Sequence, residues 1–149
     1  MRIRRVLHPT DFSRASAVAF NRAVETAKAN RAELLLVNVI TPSIPPIGDG
    51  YISPKVYAEM QASAHAYGKR ELDALVAKAR RSGARVRGIL LEGVPHERIA
   101  QVARRQRADL VVMGTHGRTG FARFFLGSVA SRVLAIAPCP VMTVRGTAR

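Results

Sequence analysis

The stretch Ala108-Asp-Leu-Val-Val-Met113-Gly114-Thr-His-Gly117-Arg-Thr-Gly120, followed by Gly127-Ser128 and an amphipathic run to Ala137, reads as strand, glycine loop, helix. The aliphatic run has the length and bounding glycine of a buried strand, and the periodicity changes to helical after Gly127. This order is also the one a phosphate cradle requires. Glycines admit positive φ and let backbone N–H groups approach an anion with no Cβ in the way, and a helix N-terminus adds unpaired donors and partial positive charge. The spacing is neither a Walker A loop, since no Gly-Lys-Ser/Thr follows, nor the G-x-G-x-x-G of dinucleotide folds.

Outward from that stretch, strand-like and helix-like runs alternate, which predicts an α/β domain with a largely parallel sheet and helices on both faces. Ile3 to His8 reads as a first strand, and Ser13 to Asn30 as a helix with Ala17, Phe20, Ala23, Val24 and Ala27 at helical spacing, capped by Asp11 or Ser13. Glu33 to Ile40 is nearly uninterrupted aliphatic sequence, as in a strand covered on both faces. Residues 41–54 are rich in proline and glycine and read as a long loop, either a mobile lid or flap or a passive insertion. Ser53-Pro54 has the character of a helix start, and that helix can run to Arg81 before Gly83 ends it. A strand at Arg85–Leu91, a helix from Pro95 to about Arg107, the strand around Val111, the Ser128 helix and a last strand at 141–145 complete the alternation.

At 149 residues the chain fits one domain, 1–149. A hydrophobic fraction of 48% and a charged fraction of 23% are those of an ordinary globule. No apolar run approaches the ~20 residues of a spanning helix, and the Met1-Arg-Ile-Arg-Arg start lacks the features of a signal peptide, so a cytoplasmic location is expected. The single cysteine, Cys139, excludes an internal disulfide framework and reads as a small apolar core residue.

The formal charge is +14, and it is uneven: residues 1–75 carry 10 basic and 7 acidic side chains, whereas residues 76–149 carry 14 and 3. Such an excess suits a polyanion, a nucleotide or a nucleic acid, and also suits a merely solvated arginine-rich surface. There is no tryptophan, no RNP-like strand and no zinc-ligand spacing, so nucleic-acid binding is the less favoured reading.

The spacing Gly114-x2-Gly117-x9-Gly127-Ser128 resembles the Gly-x2-Gly-x9-Gly-Ser/Thr signature of the ATP-binding branch of the universal stress protein family. The likeness extends to the opening Val6-Leu-His-Pro-Thr-Asp-Phe-Ser13, the middle Leu35-Leu-Val-Asn-Val-Ile40 and the close Pro138-Cys-Pro-Val-Met-Thr-Val144. The resemblance implies a doubly wound, five-stranded parallel sheet of order 3-2-1-4-5, flavodoxin- or Rossmann-like, with ATP and its Mg²⁺ beyond the strand ends. It implies that Pro9, Thr10 and Asp11 adjoin the nucleotide, that the Val39 backbone lies beside adenine, and that Met113 flanks the phosphate loop. Gly114, His116, Gly117, Arg118, Gly127, Ser128 and Val129 would surround the phosphates, with Arg123 a further cation. Asp11 is open to a second reading, as a cap of the first helix, and Val39 and Met113 to one as core. Ser128 is expected to help cap its own helix. A homodimer through 141–145 and an unknown protein partner are further implications.

Catalysis is not visible in the residues. His116 is the one candidate base near the phosphates, and donation to phosphate or exposure to solvent is the favoured account of it. His8, His65 and His96 lack metal-ligand spacing, and no G-x-S-x-G elbow supports a triad. The expected function is therefore nucleotide-dependent stress signalling with at most slow ATP hydrolysis; the alternatives are a basic nucleic-acid-binding module of the same fold and a slow ATPase.

Overall fold

The computed structural model describes residues 1–42, 52–115 and 126–146. Nine elements alternate along the chain: β1 (Arg5–Pro9), α1 (Arg14–Ala29), β2 (Glu33–Ile40), α2 (Pro54–Arg81), β3 (Arg85–Glu92), α3 (Pro95–Arg105), β4 (Leu110–Gly114), α4 (Ser128–Ile136) and β5 (Val141–Val144). The strands form one parallel sheet in the order β3-β2-β1-β4-β5. This is the doubly wound arrangement expected from the sequence.

The uninterrupted aliphatic strands are explained by two covered faces. Successive side chains point to opposite sides, so Val6, Leu34, Leu36, Leu110 and Val112 pack under α1 and α2. Leu7, Leu35, Val37, Val111 and Met113 pack under α3 and α4. Gly88 on β3 lets α2 lie close, since a Cβ there would stand 3.0 Å from Val76 Cγ2.

The helix starts follow the sequence signals. Ser13 caps α1 by accepting from the Ser16 amide at 3.2 Å, and Ser53 caps α2 by accepting from the Val56 amide at 3.3 Å with Pro54 in the first turn. The ends depart slightly. The α3 helix stops at Arg105 rather than Arg107, because Arg107 turns to φ +50° and the Ala108 amide reaches back to the Ala103 carbonyl at 2.9 Å. Ile3 packs on the core but precedes the paired ladder, which begins where Arg5 meets Glu33. Most of the predicted 41–54 loop falls outside the described residues.

β1 lies between β2 and β4, so the chain winds outward in two directions from it. The carboxyl ends of β1 and β4 therefore flank a crevice at this reversal of winding.

Candidate functional site

That crevice has a volume of about 540 Å³ and is lined from the carboxyl ends of β1, β2 and β4, the starts of α1, α3 and α4, and the middle of α2. It lies within the size range of small-molecule sites, roughly 300–1,000 Å³. Nine of the twelve site residues expected from the sequence line it: Pro9, Thr10, Asp11, Val39, Met113, Gly114, Gly127, Ser128 and Val129. His116, Gly117 and Arg118 lie outside the described residues, as does Arg123.

The β1 wall is stiffened by a local network. The Thr10 amide donates to the Val37 carbonyl at 2.8 Å, and the buried Asn38 side chain donates back to the Thr10 carbonyl at 2.9 Å. Ser16 Oγ donates to Thr10 Oγ1 at 2.8 Å, and the Phe12 amide donates to the same hydroxyl at 3.1 Å. Phe12 adopts φ +64°, a conformation that the surrounding bonds hold against its Cβ penalty. Asp11 Oδ1 accepts from the Ser13 amide at 3.0 Å, which closes an Asx turn. Ser13, not Asp11, is thus the cap of α1. Asp11 shapes the turn and lines the crevice.

The opposite wall is the start of α4. Gly127 occupies the cap position and donates its amide to the Thr115 carbonyl at 2.6 Å, while Thr115 donates to the Val144 carbonyl at 3.0 Å. Ser128 is the first helical residue and does not cap α4, contrary to the sequence expectation. No side chain among the described residues caps this helix. Its first N–H groups, which have no intrahelical partner, therefore lie along the crevice with the positive end of the helix dipole. Pro95 and Ile99 bring the start of α3 to the same space, and α3 also begins without a side-chain cap.

Sequence reasoning missed Phe12, Ser16, Asn38, Tyr67 and Gly68 as lining residues. Asn38 carried a signal, as the one polar residue within Leu34-Leu-Leu-Val-Asn-Val-Ile40. Tyr67 and Gly68 carried none, because α2 reaches the crevice only through its packing on β2 and β3. Gly68 is where α2 passes closest: a Cβ there would lie 3.0 Å from Asn38 Oδ1.

His8, for which the sequence suggested no ligand role, is a core residue. It is fully buried on the α1 side of β1, where its ring lies 6.1 Å from that of Phe20 and its Nδ1 donates to the Val112 carbonyl at 2.8 Å. Its Nε2 has no hydrogen-bond partner among the described residues. Burial lowers its pKa to about 4 against the raising effects of the Val112 bond and the Asp11 charge. Cys139 is half-buried against the α3/α4 core, and desolvation followed by the Asp109 charge pushes its thiol pKa up. It behaves as packing, and an activated thiolate is not its character.

A doubly wound parallel sheet with an open crevice at its switch point is the architecture of a class of α/β ligand-binding proteins. Within that class the assignment is specific: the universal stress protein family matches residues 2–145, and the chain belongs to it. The chain is 34% identical to universal stress protein MJ0531 of Methanocaldococcus jannaschii over 146 residues, covering 95% of this chain and 82% of that one. Hypothetical protein MJ0577, from the same organism, superposes over the full length of both chains with a TM-score of 0.86 at 25% identity. A universal stress protein family protein of Arabidopsis thaliana, solved with AMP bound, superposes with a TM-score of 0.70 at 26% identity over 97% of this chain and 93% of that one.

Proposed function

We propose that the crevice binds an adenine nucleotide, ATP with Mg²⁺, and that its occupancy serves as a signal rather than as fuel for turnover. The observation that carries this reading is the start of α4, uncapped by any side chain among the described residues, lining a crevice of nucleotide dimensions and preceded by the Gly114…Gly127-Ser128 spacing. The AMP-bound relative and a universal stress protein solved with cAMP, 25% identical with a TM-score of 0.71, support an adenine nucleotide as the ligand class.

In this reading the α4 amides, Gly114, Gly127 and the Ser128 hydroxyl hold phosphate oxygens, and His116, Gly117 and Arg118 complete the cradle. Asp11 accepts from ribose or adenine donors, Pro9 and Thr10 wall the base, and the Val39 backbone reads its edge. Micromolar affinity requires about 8.2 kcal/mol, and one helix-terminus contact contributes roughly 0.3–2 kcal/mol. Several donors must therefore act together, which a cradle of backbone amides supplies. Mg²⁺ enters with the triphosphate as its counter-ion and needs no dedicated protein cage.

The β5 edge fits a second copy of the chain. Met142 is exposed there, and Leu134 and Ile136 are exposed on the neighbouring α4, so antiparallel pairing of β5 strands covers apolar surface together with an open ladder.

Thermal unfolding of nucleotide-free protein tests the ligand. Saturation at a hundred times the dissociation constant adds about 2.7 kcal/mol, a rise of roughly 2–8 °C for a domain of this size. MgATP raises the midpoint of wild type and leaves Gly117→Val unmoved. No shift with MgATP, MgADP, MgGTP or cyclic AMP refutes nucleotide binding.

A further inference from the structure

We infer that the end of the sheet opposite the crevice is a docking surface for the phosphate backbone of a nucleic-acid duplex. In a parallel sheet the amino ends of the strands share one edge, and here the register sets Arg5 beside Glu33 and Glu33 beside Arg85, with Leu110 of β4 opposite Val6. Five segments lead into this end, of which four are basic, 1–5, 28–33, 80–87 and 104–109, while the fifth, 137–140, carries no charge. The four basic segments, 25 of the 149 residues, hold 12 of the 24 Lys and Arg side chains and only 2 of the 10 acids, Glu33 and Asp109.

Both acids are already engaged. Asp109 accepts from the backbone amides of Arg4 and Arg5 at 2.7 and 2.9 Å, and Glu33 bridges Arg5 and Arg87 at 3.3 Å each. Arg4, Arg31, Arg85, Arg104, Arg105 and Arg107 are exposed and form no ion pair among the described residues. The crevice end mixes signs, with Asp11, Glu92 and Glu97 beside Arg14, Arg98 and Arg145.

Helix C-termini favour cations through their dipoles, which accounts for a basic residue in a last turn but not for the two arginines just beyond. Helices α1, α2 and α3 all end in the same left-handed turn, in which Ala32, Ala84 and Ala108 donate back to the carbonyls of Ala27, Ala79 and Ala103. The residue in the left-handed position is Gly83 after α2, where strain is absent, but Arg31 at φ +53° and Arg107 at φ +50° after α1 and α3. Glycine or asparagine fills that position at less cost. Two strained arginines at one end of the sheet, where glycine would suffice for the fold, point to a use for their charge.

The chemistry selects the partner. The cations are nearly all arginine, whose planar fork takes two phosphate oxygens at once. Within the four segments no aromatic ring is present for stacking on unpaired bases, and Met1 is the one exposed large apolar side chain. A single-strand binder needs the first and a membrane-inserting surface needs more of the second. Four strand starts at about 4.8 Å spacing span roughly 14 Å, close to the ~12 Å width of a B-DNA major groove, so arginines at the β3 and β4 sides reach phosphates on both rims. Recognition is of backbone, without base readout.

The test is fluorescence anisotropy of a 20-base-pair duplex of arbitrary sequence with the full chain across about 50–200 mM salt, in wild type, Arg31→Gly/Arg107→Gly and Arg31→Lys/Arg107→Lys. With about five phosphates contacted, wild-type affinity falls about 500-fold over that range, a log–log slope near −4.5. The glycine variant lowers the slope by about 2 and weakens binding, while its unfolding midpoint does not fall, because glycine suits the left-handed turn. The lysine variant keeps the slope. Absence of binding at about 50 mM salt, an unchanged slope in the glycine variant, displacement of duplex by micromolar MgATP, or preferential binding to phosphatidylglycerol vesicles each overturns the proposal.

Discussion

The buried imidazole of His8 makes the stability of this protein sensitive to mild acid. The folded protein keeps the ring neutral down to about pH 4, because protonation would bury a charge among Phe20 and aliphatic side chains with no partner for Nε2 among the described residues. The unfolded chain takes up that proton near the ordinary imidazole value of 6.5. Between those two values the unfolded state binds one more proton than the folded state, so the His8 contribution is fully present above about pH 6.5 and is lost as pH falls toward 4. The full difference is about 3 kcal/mol. From pH 7 to pH 5 the expected loss is about 2 kcal/mol, a substantial part of a typical 5–15 kcal/mol. The assay is urea unfolding at several pH values in wild type and His8→Leu. The leucine variant loses the bond to the Val112 carbonyl and is less stable at pH 7 by roughly 1–3 kcal/mol, but its stability changes little between pH 7 and pH 5. Equal losses in the two proteins over that interval would refute the assignment of the acid sensitivity to His8.

Three further outcomes follow from the same geometry. Ser128→Asp places a carboxylate in the first turn of α4, so the nucleotide-free protein gains roughly 0.3–1 kcal/mol from the helix dipole, while calorimetric affinity for MgATP falls at least about tenfold through repulsion of the phosphates. Asn38→Leu leaves the Thr10 carbonyl without the donor that holds it at 2.9 Å, and costs roughly 1–3 kcal/mol in denaturant unfolding together with weaker nucleotide binding. Gly88→Val forces side-chain carbon into the space between β3 and α2, where a Cβ already meets Leu72 Cγ at 3.2 Å, and destabilises by about 1–3 kcal/mol with nucleotide affinity unchanged in the folded fraction.

Most of the architecture was legible because both faces of the sheet are covered. Runs such as Leu34–Val37 and Leu110–Met113 announce buried parallel strands, and Ser13, Ser53-Pro54 and Gly83 mark helix boundaries by known cap chemistry. Strand order was less local: right-handed crossover rules allow β1 beside β4, and only the family resemblance supplied the order that the register shows. The α3 boundary was misread because arginine carries no sequence signal for the left-handed turn that Arg107 adopts. The site was legible where chemistry and chain proximity coincide, at Pro9–Asp11 and at Gly127–Val129. It was not legible where tertiary packing delivers a residue from afar, as with Tyr67 and Gly68 on α2. The burial of His8 under α1 was not legible, since it depends on the pleat of β1 and the reach of Phe20.

The central claim is that nucleotide sits at the carboxyl ends of β1 and β4, against the start of α4. Amide hydrogen exchange of the full chain with and without saturating MgATP tests it most directly, since protection is read segment by segment. The account predicts slowed exchange at 9–13 and 127–131, with the segments that lead into the strand starts, 1–5 and 104–109, unchanged. Protection confined to 1–5 and 104–109, or absent from both 9–13 and 127–131 under conditions where calorimetry shows the nucleotide bound, would contradict it.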